Sequence, residues 1–313
     1  MKVFVVGHRT ETHTNTFIHA AATKAFMALG FDTTWGDPGP KFDPPPWSII
    51  FTKSDVDQHV PVRNDLYYIL HNCDREKYAP AHDHLVHWGI LARFNTQPLH
   101  VVPRFRTGCG WWYESVRTLL LPWATNLLPG EIDDHPALRV PVERKVHWVG
   151  TVVHSGTNAN VEEVAAFARG LAKHDIEMHV WGGYTGSLSI PNVTVHPGWV
   201  TDEKHRDLIE RSYLGPVLCG SYQLQNEYVP CRAFKNASYG QTLCTNSVAV
   251  RHMLGRFPSG GVVYEPDCEL LAEEAVRQRE GPVWLGERWL LTRYVRQHHT
   301  FIERLRIVLE HLL

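Results

Sequence analysis

The sequence predicts an α/β protein made of two doubly wound, mostly parallel sheets in succession. Three features predict it: short apolar runs alternate with amphipathic helical stretches, the start Val3 to Gly7 is echoed by Val146 to Gly150, and a breaker-rich segment separates them. That segment, Leu121 to Pro136, holds Pro122, Pro129, Gly130 and Pro136 and marks a boundary between residues 1–130 and 140–292. At 313 residues the chain is long enough for about two domains of ~150 residues.

Val3 to Gly7 reads as a buried strand. The helix after it runs from about Thr16 to Leu29, where Ile18, Ala21, Ala22, Ala25, Phe26 and Leu29 form one stripe, with Asn15 placed to cap it and Gly30 to end it. Trp47 to Phe51, Leu66 to Leu70 and Leu99 to Val102 supply further strands. In the second half a helix spans Val161 to Lys173, with Asn160 and Glu163 forming a capping-box-like start. Strands follow at Glu177 to Trp181, Val193 to His196, Pro216 to Cys219, Thr242 to Asn246 and Gly261 to Tyr264. Helices near Glu203 to Arg211 and Arg232 to Tyr239 are interleaved with them. The last segment, about Glu287 to Leu313, reads as one helix, its part from about 293 packing back on the first domain. Each half is thus Rossmann-like, and ligands of such sheets bind at the carboxyl ends of the strands.

Composition narrows the function. Lys plus Arg number 31 against 33 Asp plus Glu, so no global positive field exists to hold nucleic acid. No apolar run approaches the roughly 18 residues that cross a bilayer, which leaves peripheral membrane contact open and predicts a cytoplasmic protein. The six cysteines form no C-x-x-C pair, and read as buried, reduced small hydrophobes. His82-Asp-His84, read on a strand, lacks a helical H-E-x-x-H pattern or cysteine partner; Asp55-Val-Asp57 sits in a polar loop where chance carboxylates are common. No metal and no cofactor is expected.

The block Asn226 to Ser247 carries most chemistry. Pro230 suits the first position of a short helix and Gly240 the residue past its end, so a helix N-terminus faces the ligand end of the sheet. Free N–H groups there suit a phosphate, and Glu227 stands just before them, within reach of a hydroxylated ligand. At the other sheet, Gly7-His8-Arg9-Thr10-Glu11 links the first strand to its helix with a single glycine, not a dinucleotide-binding fingerprint. Asp74 or His71, after another strand, offers a general base or orients a hydroxyl.

The order of a strand ending in Gly, a Pro-x-Arg-x-Phe-x-x-Ala-x-x-Gly helix and a Thr-Asn strand end resembles the donor-binding half of GT-B glycosyltransferases. Within that fold it is most similar to the E-x7-E branch and to CgeB-like glycosyltransferases. Val195-His-Pro-Gly-Trp-Val200 resembles the turn under the nucleotide base, and His299-Thr-Phe-Ile-Glu-Arg304 a C-terminal helix of the family. The resemblance covers residues 145–313 well and 1–130 by general architecture. It implies two Rossmann-like domains facing a central cleft, a nucleotide-diphosphate sugar as donor, a sugar or glycoconjugate hydroxyl as acceptor, and a lean toward retention of configuration. Glu227 matches the first glutamate of the motif, which contacts the donor sugar. The second, which holds the ribose, falls at Lys235, and the family's basic residue after Gly150 is replaced by Thr151. Arg232 and His154 become the candidates that balance diphosphate charge. Gly150, Thr151, His154, Gly198, Trp199, Val200, Tyr228, Val229, Arg232 and Lys235 form the expected donor side, and Gly7, His8, Arg9 and Glu11 the acceptor side. A nucleotide-sugar epimerase of the same shape, or a nucleotide-sugar-binding module without activity, are the alternatives.

Overall fold

The computed structural model describes residues 1–7, 9, 14–53, 55–71, 76–90, 105–106, 111–113, 117–133, 142–156, 159–185, 192–255, 261–282 and 284–313. The expected strand at 99–102 lies outside them. The chain divides into two compact units, Met1–Leu128 with His298–Leu313, and Pro129–Gln297.

The first unit is built on strands β1 (Lys2–Val6), β2 (Asp32–Gly36), β3 (Ile49–Thr52), β4 (Tyr67–Leu70), β5 (Leu85–Gly89), β6 (Phe105–Arg106), β7 (Trp111–Tyr113) and β8 (Thr118–Leu120). They form one sheet in the order β2-β1-β3-β4-β5-β8-β7-β6, parallel as far as β8 and antiparallel at the β7 and β6 edge. Strands β3 and β4 are apolar and buried along almost their whole length, as expected where a parallel sheet is covered on both faces. Helix α1 (Thr14–Ala28) lays Ile18, Ala21, Ala22, Ala25 and Phe26 on the sheet. It begins before Asn15, which therefore lies inside the helix instead of capping it.

The second unit holds β9 (Lys145–Val149), β10 (Val152–Val153), α2 (Val161–Ala172), β11 (Glu177–Gly182), β12 (Tyr184–Thr185), β13 (Val193–Pro197), α3 (Asp202–Arg211), β14 (Gly215–Val217), α4 (Ser221–Gln225), α5 (Cys231–Ser238), β15 (Leu243–Thr245), α6 (Val248–Leu254), β16 (Val262–Tyr264), α7 (Cys268–Arg279) and most of α8 (Trp284–His298). Two parallel triplets, β13-β11-β9 and β14-β15-β16, meet where β14 runs beside β9. Tyr213 donates its backbone N–H to the carbonyl of Lys145 (2.7 Å), and His147 donates its own to the Ser212 hydroxyl (2.9 Å). Within the unit the strands therefore run 3-2-1-4-5-6, and the order reverses between β9 and β14; ligands of such sheets sit beyond the strand ends at that reversal. Val164, Phe167, Ala168 and Leu171 of α2 and Leu271, Ala272 and Ala275 of α7 cover one face with Trp148, Met178 and Val180. The side chain of Asn160 does not cap α2; its Oδ1 accepts from the Val153 backbone N–H (2.9 Å), tying the β9–α2 loop instead.

The expected single C-terminal helix is two. Thr300 breaks it, its hydroxyl accepting from the Glu303 N–H at the start of α9 (Phe301–Leu312) while its backbone bridges to Thr125. A cap and a strand-like bridge at one residue leave no room for helical continuity. Fully buried Arg304 then fixes α9 to the first unit, donating to the carbonyls of Pro122 (2.8 Å) and His298 (3.0 Å), while Phe301 packs on Trp88 and Trp123.

Candidate functional site

The site is built at the N-terminus of α5. Helix α4 is too short to hold itself and ends in a Schellman turn: Tyr228 donates its N–H to the Gln223 carbonyl (2.9 Å) and Glu227 to that of Leu224 (3.2 Å). The left-handed position of such a turn is normally glycine, yet here Glu227 takes it, at φ 51°. A carboxylate residue held there costs about 1–2 kcal/mol of backbone strain relative to glycine. Its side chain is exposed.

Pro230 is the N-cap residue of α5, not its first helical residue, and Arg232 lies in the first turn. The guanidinium folds over the end of β9, stacking 3.7 Å above the Trp148 ring and donating from Nε to the Val149 carbonyl (3.1 Å). Gly150 makes this possible: a β-carbon there would overlap Arg232 Nη2, and its φ of 141° suits glycine. Among the described residues no carboxylate pairs with Arg232. Burial pushes its pKa down to about 10, opposed by the nearby Cys231, Cys219 and Tyr228, so it stays charged at neutral pH. The structure thus places a half-buried cation beside the N–H groups of a helix start, and that combination attracts an anion.

Around it stand further polar groups. Lys235, one turn along α5, is buried and pairs with Asp202 at 3.0 Å. His205 of α3 is buried against the Tyr239 ring, its Nε2 without a hydrogen-bond partner; burial, then Lys235 and Arg232, hold its pKa well below the ordinary value, so it is neutral. Burial pushes the Cys219 thiol up to about 12 and raises the Cys231 thiol, so neither is a thiolate. Tyr228 is likewise raised by burial. Val229 is buried in the core with Ala233 and Phe234 and supports the turn instead of lining a surface. Thr151 and His154 lie exposed past β9; Gly198 (φ 114°) and Trp199 are exposed past β13, with Val200 half-buried beside them. Asp202 and His205 escaped sequence reasoning because Thr201-Asp-Glu-Lys reads only as a helix start, and Trp148 because it reads as strand core.

At the carboxyl edge of the first unit, Gly7 lies against His19, whose ring a β-carbon on Gly7 would overlap. His19 Nε2 is 2.9 Å from His71 Nε2, and His71 packs among Phe51 and Trp123 with 0% exposure. Burial, then the charges of His19, Lys53 and His87, keep its pKa well below the ordinary value. The structure therefore places His71 inside the core, not on a surface where a hydroxyl would be met. Arg9 is exposed and bonds through Nε to the Trp35 carbonyl (2.8 Å). His8, Glu11 and Asp74 lie outside the described residues.

The discounted motifs are accounted for. Asp55 pairs with Lys53, and Asp57 accepts from the Tyr78 hydroxyl (2.7 Å) and pairs with Lys77 (3.1 Å). His82 and His84 are not on a strand: a 3-10 segment, Glu76–His84, carries them, and His82 meets Asp83 while His84 edges Trp47 and Tyr67. Pro80 within that stretch denies it a strand ladder. Among the described residues no group of three His, Cys, Asp or Glu is placed to hold a metal ion, and no helix is long and apolar enough to cross a membrane.

Comparison with protein-family models finds no match, and comparison with curated proteins finds none either. Solved structures do match. An alpha-glucosyltransferase in complex with UDP-glucose and DNA containing an abasic site aligns over 99% of this chain and 99% of its own, with TM-score 0.65 and 10% identity. WaaG, a glycosyltransferase involved in lipopolysaccharide biosynthesis, aligns over 98% of this chain and 99% of its own, with TM-score 0.52 and 12% identity. A trehalose-6-phosphate structure from E. coli bound with UDP-2-fluoro glucose aligns over 96% of this chain and 78% of its own, with TM-score 0.53 and 11% identity. These are GT-B glycosyltransferases, and the chain has the GT-B fold.

Proposed function

We propose that the chain is a glycosyltransferase that moves a sugar from a nucleoside-diphosphate sugar to a hydroxyl acceptor. The single observation that carries this is Arg232: a half-buried guanidinium stacked on Trp148 and without a carboxylate partner among the described residues, at the start of α5 and the strand reversal. A diphosphate supplies the missing negative charge and accepts from the free N–H groups of the helix. The fold agrees, since the solved structures that share it hold UDP, UDP-glucose or a fluorinated analogue.

In this reading the bond between the anomeric carbon and the diphosphate oxygen breaks, and its electron pair stays on the diphosphate. The growing charge is met by Arg232 and the helix N-terminus, so no metal is required for that role. The acceptor oxygen bonds to the anomeric carbon and gives up its proton, which is taken up by the departing diphosphate. Glu227 is proposed to hold the transferred sugar: a strained backbone is retained where glycine would be relaxed, and the carboxylate is what glycine lacks. Gly7 is packed on His19, and His8, Arg9 and Glu11 beyond it, with Asp74, are proposed to meet the acceptor.

Calorimetric titration with UDP and with UDP-glucose tests the site. The wild-type chain binds, and Arg232→Ala weakens binding by about 30-fold or more, the loss expected of a charged hydrogen-bonded contact. Equal binding by the two proteins ends the proposal. Transfer is then read as UDP released from UDP-glucose in the presence of hydroxyl acceptors.

A further inference from the structure

Lys235 and Asp202 pose a question that Arg232 does not answer. A carboxylate beside a diphosphate site is unfavourable by simple Coulomb repulsion, and yet Asp202 is there. Asp202 opens α3 just past the carboxyl end of β13, and Lys235 of α5 reaches across to it, so the pair stands at the same end of the sheet as Arg232. Lys235 lies three residues after Arg232, on the same side of α5. Its side chain is 8% exposed, while that of Asp202 is 52% exposed. The lysine is therefore an internal counter-ion, and the carboxylate is the half of the pair that meets solvent. Lys235 Nζ holds Oδ1 at 3.0 Å; Thr201, not Asp202, caps α3. Oδ2 of Asp202 has no further partner among the described residues.

Such a group is a neutralised acceptor. It tolerates a nearby diphosphate because Lys235 balances its charge, and its open oxygen accepts hydrogen bonds from hydroxyl groups. A nucleoside-diphosphate sugar has two hydroxylated rings, one on each side of the diphosphate, and Glu227 and Asp202 are exposed carboxylates on the segments before α5 and at the start of α3. Which serves which follows from position. Asp202 is three residues beyond Trp199, which is 61% exposed after Gly198 and whose ring offers a flat apolar face to a base. The ring next to the base is the ribose.

Resting on the proposed donor site, we infer that Asp202, held by Lys235, accepts hydrogen bonds from the ribose hydroxyls and makes the site select ribonucleotides over deoxyribonucleotides. Asp202 is a contact residue and Lys235 a positioning residue. The carboxylate comes from α3, where the E-x7-E pattern would place it on α5.

The test is calorimetric titration of the full chain with UDP and with 2′-deoxy-UDP. The wild type is expected to prefer UDP by about 10-fold, the scale of one charge-assisted hydrogen bond. Asp202→Ala is expected to bring the two affinities within about 2-fold by weakening UDP alone. The paired variant Asp202→Ala with Lys235→Met, which leaves no lone buried charge, is expected to lose the preference equally; thermal unfolding verifies that each variant folds. A wild type that binds both nucleotides equally overturns the inference and leaves the diphosphate site standing. So does a preference that survives in both variants, or one that persists while UDP and deoxy-UDP weaken together, as a merely structural ion pair would give. A wild type that binds neither overturns the donor-site reading and this inference with it.

Discussion

Gly7 and Gly150 end the first strand of their respective sheets, and both leave room for a nitrogen-bearing side chain. In the first unit that side chain is His19, closed off by His71. In the second it is Arg232, backed by Trp148 and the Val149 carbonyl. One edge is sealed by two imidazoles, of which burial holds His71 well below its ordinary pKa; the other holds a charged guanidinium that pairs with no carboxylate among the described residues. The same strand–glycine geometry thus makes a core joint in one unit and an anion site in the other, and the chemistry is set by the side chain that fills the gap.

The largest expected effect separates the two glycines. Gly150→Ala forces Arg232 aside and strains a backbone at φ 141°, so UDP affinity is expected to fall by about 30-fold or more. Gly7→Ala displaces His19 and is expected to cost about 1–3 kcal/mol of stability while changing UDP affinity less than about 2-fold. Titration with UDP and denaturant unfolding of both variants measure this; a Gly7→Ala protein that loses UDP as badly would erase the contrast.

Acid sharpens it next. Burial lowers the pKa of His71, and of His147 in the second unit down to about 4 with help from neighbouring His179. Below pH 6.5 the unfolded chain binds more protons than the folded one, so the stability these groups contribute is complete above pH 6.5 and falls as the pH drops towards 4. For His147 the loss is on the order of 2 kcal/mol. His147→Gln should flatten the fall of melting temperature between pH 6.5 and 4.5, and an unchanged slope would refute the assignment. UDP binding, which depends on a guanidinium, should stay level from about pH 7 to 9.

The smallest effect concerns Glu227. Replacing it with glycine relaxes the left-handed turn and should raise stability by about 1 kcal/mol while turnover falls, whereas Glu227→Ala should lower turnover with no gain in stability. Melting temperature and sugar transfer, measured together, check the pair. A glycine variant that is both no more stable and fully active would show an ordinary turn.

Much of this was legible along the chain. Alternating strand and helix patterns located α1, α2, α3 and α5 to within a few residues, because their apolar stripes must face a sheet whatever surrounds them. Glu227 was singled out from the turn before Pro230 and Arg232 from the family resemblance, and the structure places them in the α4 turn and the first turn of α5. The single C-terminal helix was not, because the bridge between Thr125 and Thr300 joins residues far apart in sequence. His71 followed a strand and looked available; only packing against His19, Phe51 and Trp123 shows it enclosed.

The sequence by itself determined which segments are strands and helices, since periodicity and breakers act locally, and it determined that no global field draws in polyanions. Tertiary structure alone decided how the charges pair. Lys235 takes Asp202 from another helix, and Arg232 is left over the end of a strand with no carboxylate partner among the described residues, because electrostatic partners are chosen by distance in space and by the water excluded around them.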